Sequence, residues 1–218
     1  MELAPLIVTL KTALAATAVT FWLGIFLAYR VARMQKFRGL ADAVITLPLV
    51  LPPTVVGFFL ILFLGKRSAV VQFLLQFDVS LVFTWEAAVI SAVVVSLPLM
   101  YRTTLGALEQ LDANIISAAR TLGVPERKIF WRITLPNVRA GILAGTVLAF
   151  TRALGEFGAT IMFAGNIPGV TQTMSTAIYS AVQANDYDLA FQWAAALIIF
   201  SLVFVLALNK TAHSNAAI

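Results

Sequence analysis

Two ionisable residues stand inside an otherwise uncharged apolar run, Arg152 and Glu156. Four residues apart on a helix, they share a face and fall within pairing reach. Charges at that depth in an apolar run are costly and normally face a protein interior or a wet cavity. Two readings follow. The pair organises a gate or cavity wall, or it is a neutralised pair that locks two helices together. Thr160 is a further polar candidate on the same run.

Other chemistries are excluded by residue type. The chain has no cysteine, so disulfides, thiolate metal sites and cysteine nucleophiles are ruled out. Its single histidine, His213, sits in a polar tail, which leaves no two-histidine metal site and no serine–histidine triad within one chain. No Gly-x-x-x-x-Gly-Lys-Ser/Thr sequence occurs. The nearest fragment, Gly65-Lys66-Arg67-Ser68, lacks the glycine five residues earlier. Nothing here cradles a nucleotide, and no cofactor or metal site is expected in this chain.

The elements that must position these residues are membrane spans. Of 218 residues, 61% are hydrophobic and 11% charged, against roughly 25% charged in soluble domains. The apolar residues come in long uncharged runs. Five spans are predicted: roughly residues 7–29, Ala43–Gly65, about Thr84–Thr104, about Ala140–Ala164, and Leu189–Asn209. Each is long enough for a hydrocarbon core of about 30 Å at about 1.5 Å per residue. Backbone groups in lipid must bond internally, so the spans are helices and the fold class is an all-α membrane protein. The first run lacks a basic leader and a small-residue cleavage site, so it reads as an uncleaved span. Pro48, Pro52 and Pro53 are expected to interrupt the second span, as a gate-forming break or as a packing kink. Gly141 and Gly145 read as a close helix contact. Asn166-Ile167-Pro168-Gly169 reads as a turn. Thr171–Gln183 is too polar for a sixth span and is expected to form a short helix at the outer face. Asp186 and Asp188 stand on the outer loop, as contacts for a binding protein or as solvated residues.

Lysine and arginine placement sets the orientation. Arg30, Arg33, Lys36 and Arg38 follow the first span. Arg102, Arg120, Arg127, Lys128, Arg132 and Arg139 lie around the connection from third to fourth, and Lys210 follows the fifth. With five spans these regions share one side, the cytoplasm. Lys66 and Arg67, with Lys11 near that end of the first span, mark the other. The N-terminus is expected outside and the C-terminus inside. A net charge of +5 distributed this way requires no nucleic acid.

The connection at 109–136 is more than a loop. Asp112 suits the N-cap of a helix through Leu122, and Gly123 suits the left-handed residue that ends it. Pro125 then opens a second helix, with Glu126 at its positive end. Pro136 marks the start of the next span. Ile115, Ile116, Ala119 and Leu122 recur at helical spacing. The result is a compact cytoplasmic knob suited to a partner's groove.

Ser117-Ala118-Ala119-Arg120-Thr121-Leu122-Gly123, then nine residues, then Ile133-Thr134-Leu135-Pro136, resembles the EAA loop of type I ABC importer permeases. That pattern is Glu-Ala-Ala, three residues, Gly, nine residues, Ile-x-Leu-Pro. Ser117 stands where the pattern has glutamate. The resemblance implies a single permease domain over 1–218, whose loop at 109–136 carries Ser117, Ala118, Ala119, Arg120, Leu122, Gly123 and Pro125 as a coupling helix for an ATPase subunit. It implies a homodimer, two ATP-binding subunits holding ATP and Mg²⁺, and a periplasmic or extracellular binding protein, in a bacterial or archaeal cytoplasmic membrane. Leu47-Pro48-Leu49-Val50-Leu51-Pro52-Pro53-Thr54-Val55-Val56-Gly57 looks like the second span of molybdate permeases. Arg152 to Thr160, continuing through Gly165-Asn166-Ile167-Pro168-Gly169, is similar in outline to both molybdate and sulfate permeases. Molybdate, with tungstate, is the expected cargo. Sulfate or thiosulfate is the alternative, and an ATP-independent secondary transporter is the rival from another class.

Overall fold

The computed structural model describes residues 3–65, 68, 71–72 and 81–214, with side chains as far as 206. Lys66 and Arg67, and the side chains of Lys210 and His213, lie outside the described residues. Helices α1 (Ala4–Ala32), α4 (Trp85–Glu109) and α11 (Tyr187–Ser214) are each long and apolar enough to cross a membrane. They correspond to the first, third and fifth predicted spans; α1 and α11 run beyond the predicted limits at both ends, and α4 at its C-terminal end only. No strand occurs among the described residues.

The second and fourth spans are not single helices. In place of Ala43–Gly65 stand α2 (Arg38–Val50) and α3 (Pro53–Leu64), bent by 115°. A residue preceding proline is driven from helical to extended backbone. Leu51 and Pro52 both precede a proline, and their ψ angles are 142° and 136°. Pro53 then opens α3, where a missing N–H costs nothing. Pro48, by contrast, sits inside α2, and the helix continues through it to Val50. The expectation that all three prolines interrupt the span is corrected to two.

The fourth predicted span, Ala140–Ala164, divides into α8 (Arg139–Leu154) and the short α9 (Gly158–Phe163). At its other end α8 is bent by 70° from the stretch Glu126–Asn137. That stretch consists of α6 (Glu126–Ile129), a π-helical turn over Phe130–Thr134, and α7 (Leu135–Asn137). Pro136 therefore lies one turn before the span begins. The connection also contains α5 (Ala113–Thr121), and α10 (Met174–Gln183) is a short helix within the stretch 171–183 where one is expected.

The core is α1, α4 and α8 in close contact. Small residues let their backbones approach. A Cβ on Gly24 would lie 2.6 Å from Met100 Cγ. Gly141 faces Ala107, and Gly145 faces Met100 and Thr103, which accounts for their four-residue spacing. Ala13, Ala16 and Ala92 pack with Phe150, Ala153 and Leu154 in the same layer. Several hydroxyls inside the bundle return to their own helix: Thr20 donates to the Ala16 carbonyl, Ser91 to Ala87 and Ser96 to Ala92. That satisfies them where no water is present. Outward faces stay apolar, including Trp22 and Phe26 on α1 and Phe191, Ile198 and Leu202 on α11.

Candidate functional site

The hairpin begins as the sequence suggests. Asp112 Oδ1 accepts from the Asn114 N–H at 2.8 Å, capping α5. The helix closes with Gly123 at φ +73°, its N–H donating to the Arg120 carbonyl and that of Val124 to Ala119. These two bonds form a Schellman motif, which needs a left-handed residue and so favours glycine. Pro125 then caps α6. Ala119 is the buried residue of α5. Ser117, Ala118 and Arg120 are exposed, and Leu122 is 81% exposed at the tip. A large aliphatic side chain held out of its own fold by a rigid turn is available to another surface.

Glu126 ties the hairpin to the first span. One of its oxygens accepts from Arg120 Nε at 2.6 Å, and the other from Arg33 at the end of α1 at 2.7 Å. Hydrogen bonds from Arg120 and then Arg33 hold its carboxyl below the usual carboxylate range. The same contact with Glu126 raises Arg120. Arg33 also lies 4.0 Å over the Tyr29 ring, and Tyr29 packs edge-on against Phe130. Sequence reasoning uses Arg33 only to orient the chain and Glu126 only as a favourable charge on a helix end. The two are 93 positions apart, and no local spacing signals their meeting.

Within the membrane, Arg152 and Glu156 do meet, with Arg152 donating to Glu156 Oε2 at 2.6 Å. They are not on one helix. Helix α8 ends at Leu154, and Glu156 lies in the break. Its other oxygen, Oε1, accepts from the Ala159 N–H at 2.7 Å. This carboxylate therefore supplies the bond that an orphaned N–H at the start of α9 would otherwise lack. Glu156 is 3% exposed, while Arg152 is partly open. Thr160 is 1% exposed and sits inside α9, away from any open face.

The two breaks abut. A Cβ on Gly158 would lie 2.8 Å from Pro53 Cβ, and one on Gly57 would lie 2.7 Å from Met162 Cβ. Pro52, Pro53, Arg152 and Glu156 are thus gathered around one junction between α3 and α9. In the loop before α11, Asp186 caps the start of that helix, where its Oδ1 accepts from the Leu189 N–H at 3.0 Å.

Residues 20–212 match the family described as binding-protein-dependent transport system inner membrane component. The chain belongs to that family. As a member, it is a multi-pass permease component of a membrane transporter. Among its relatives, the molybdenum transport system permease protein ModB of Haemophilus influenzae is 40% identical over 208 residues, covering 94% of this chain and 90% of that protein. ModB of Escherichia coli K12 is 50% identical over 107 residues, which is 49% of this chain. The putative molybdenum transport system permease protein YvgM of Bacillus subtilis is 43% identical over 137 residues, which is 62% of this chain. These last two matches span 47% and 60% of the relatives' own lengths. A crystal structure of a bacterial ABC transporter involved in the import of the acidic polysaccharide alginate has the same fold. Its TM-score is 0.76 at 20% identity, over 95% of this chain and 79% of that one.

Proposed function

We propose that this permease forms the translocation pathway of an ATP-driven importer whose cargo is molybdate, with tungstate accepted alongside it. The observation that carries this reading is the 40% identity, across 94% of the chain, to a molybdenum transport permease. In this reading the chain is non-catalytic. ATP and Mg²⁺ belong to two ATPase subunits, and an external binding protein delivers the oxyanion. Two copies of the chain enclose the path, with N-termini outside and C-termini in the cytoplasm.

The hairpin geometry supports a docking role for Ser117, Ala118, Ala119, Arg120, Leu122, Gly123 and Pro125. A push on Leu122 has two routes into the membrane. Through the Arg33–Glu126–Arg120 fork it reaches α1. Through the continuous helical stretch to Asn137 it reaches α8, whose far end carries Arg152. Movement of α8 would shift the Arg152–Glu156 pair, and with it α9 and the Pro52–Pro53 junction. Two packings of that junction, selected by the ATPases, would give inward and outward openings. Arg152 contributes a cationic group partly neutralised by Glu156, which suits passage of a dianion without trapping it.

The test is molybdate uptake into proteoliposomes holding this chain, its ATPase and its binding protein, with sulfate and tungstate as competitors. ATP-dependent molybdate uptake that tungstate blocks is expected. Sulfate or thiosulfate uptake with molybdate excluded would favour the second reading, which the outline shared with sulfate permeases over Arg152–Gly169 motivates. Uptake with no ATPase present would favour a secondary transporter. Gly123→Pro is expected to leave the protein inserted but uncoupled, because proline cannot adopt a positive φ.

A further inference from the structure

A groove of about 620 Å³ opens beside the hairpin, between the second half of α1 and the segment that joins the hairpin to α8. That size falls in the range of roughly 300–1,000 Å³ typical of small-molecule sites. Its walls are almost wholly apolar. Trp22 and Phe26 come from α1, Trp131 from the π-helical turn, and Leu143 from α8. All four are exposed, so the groove is open on its outer side. The aromatic wall is also braced: Phe130 packs against both Tyr29 and Trp131, and Phe21 against Trp22. Two arginines complete the lining, Arg30 in the last turn of α1 and Arg139 at the first position of α8. Both lie at the end of the spans where the hairpin stands. Among the described residues neither forms an ion pair with a carboxylate, as is also true of Arg127 and Arg132 outside the groove, whereas Arg33, Arg38, Arg102, Arg120 and Arg152 all do.

Trp22 lies eight residues before Arg30, about 12 Å deeper along the helix. The groove therefore has a cationic end and an apolar, aromatic length running toward the membrane interior. We infer that it is a binding site for one anionic phospholipid, with the phosphate headgroup at Arg30 and Arg139 and an acyl chain along Trp22, Phe26 and Trp131. Basic pockets between spans favour anionic headgroups, and an apolar aromatic wall running inward from them suits an acyl chain. Unpaired arginines beside a lipid-accessible apolar slot have their charge complement in the bilayer itself. The π-helical turn brings Phe130 and Trp131 onto this groove while connecting the hairpin to α8, so the bound lipid would contact the segment between docking face and membrane.

The site is tested in proteoliposomes of the full chain with its ATPase, after Trp85→Phe and Trp193→Phe leave Trp22 and Trp131 as the chain's emitters. Phosphatidylglycerol and phosphatidylcholine brominated on the acyl chain are the quenchers. Half-maximal quenching is expected at a roughly tenfold lower mole fraction of the anionic lipid, as two arginines near an anionic headgroup imply. Arg30→Gln and Arg139→Gln should each narrow that ratio, whereas Lys36→Gln, a charge loss outside the groove, should not. Native mass spectrometry of the unaltered complex gives a check free of substitutions: phosphatidylglycerol should stay bound where phosphatidylcholine is lost. Equal quenching by the two headgroups would reduce the groove to ordinary lipid contact and overturn the assignment. Absence of quenching by either lipid would overturn it too, since protein, such as a second copy of the chain, would then cover the groove.

Discussion

The two interrupted spans reach the same backbone outcome by different physics. In the second, Pro52 and Pro53 force two consecutive extended residues, and the break is written into covalent geometry. In the fourth, a buried carboxylate holds the break, with Glu156 bridging Arg152 and the Ala159 N–H. The first break survives any change of charge. The second depends on a paired ion and is the more fragile, because loss of the Glu156 side chain leaves both the Arg152 charge and the Ala159 N–H without partners. If that junction shifts as proposed, contacts that can be remade suit it better than proline's fixed ring.

The largest effect expected from this contrast is at Glu156. Glu156→Ala should destabilise the protein by about 3 kcal/mol, the scale of a buried pair that loses one partner, and should abolish uptake. Thermal unfolding in detergent measures the first and ATP-coupled uptake the second. Glu156→Gln keeps an acceptor for the Ala159 N–H and should recover part of the stability. If the alanine variant unfolds like the parent, the carboxylate does not hold the break. Next comes Gly158→Ala, which drives a methyl group toward Pro53. A loss of about 1–3 kcal/mol is expected from overpacking, and it should be smaller in a Pro53→Gly background, which lacks the Cβ that the methyl meets. No relief would mean that the two breaks are not packed as described.

A smaller effect is expected outside the membrane. The Glu126 carboxyl is held below its ordinary range by Arg120 and Arg33. Its contribution is therefore present at neutral pH, above the ordinary carboxylate value, and is lost as pH falls through the lowered one. The pair is exposed and screened by salt, so the readout is local. Hydrogen exchange across α5 and α6, corrected for intrinsic rates, should quicken below the carboxylate range. Glu126→Gln should show the quick exchange already at neutral pH.

Legibility in the sequence follows the same division. The Pro-Pro pair announces its break, because proline's restrictions are local. The hairpin is legible for the same reason: Asp112, Gly123 and Pro125 each act within a turn of themselves. The break at Glu156 is hidden because hydropathy averages over a window, and a charge pair four residues apart fits a continuous helix equally well. Its available signal is Gly155 and Gly158 flanking the charge. Pro48 misleads in the opposite direction, since a proline alone allows a helix to continue. The bond between Arg33 and Glu126 has no local signature, because α1 and the hairpin meet only after the bundle packs.

The proposed coupling requires above all that the hairpin face an ATPase subunit, and the chain's lack of cysteine makes that directly measurable. A single Leu122→Cys should resist a membrane-impermeant thiol reagent added outside intact cells, react in inverted vesicles, and cross-link to the ATPase subunit. Labelling from outside in intact cells, with no cross-link, would contradict the docking role.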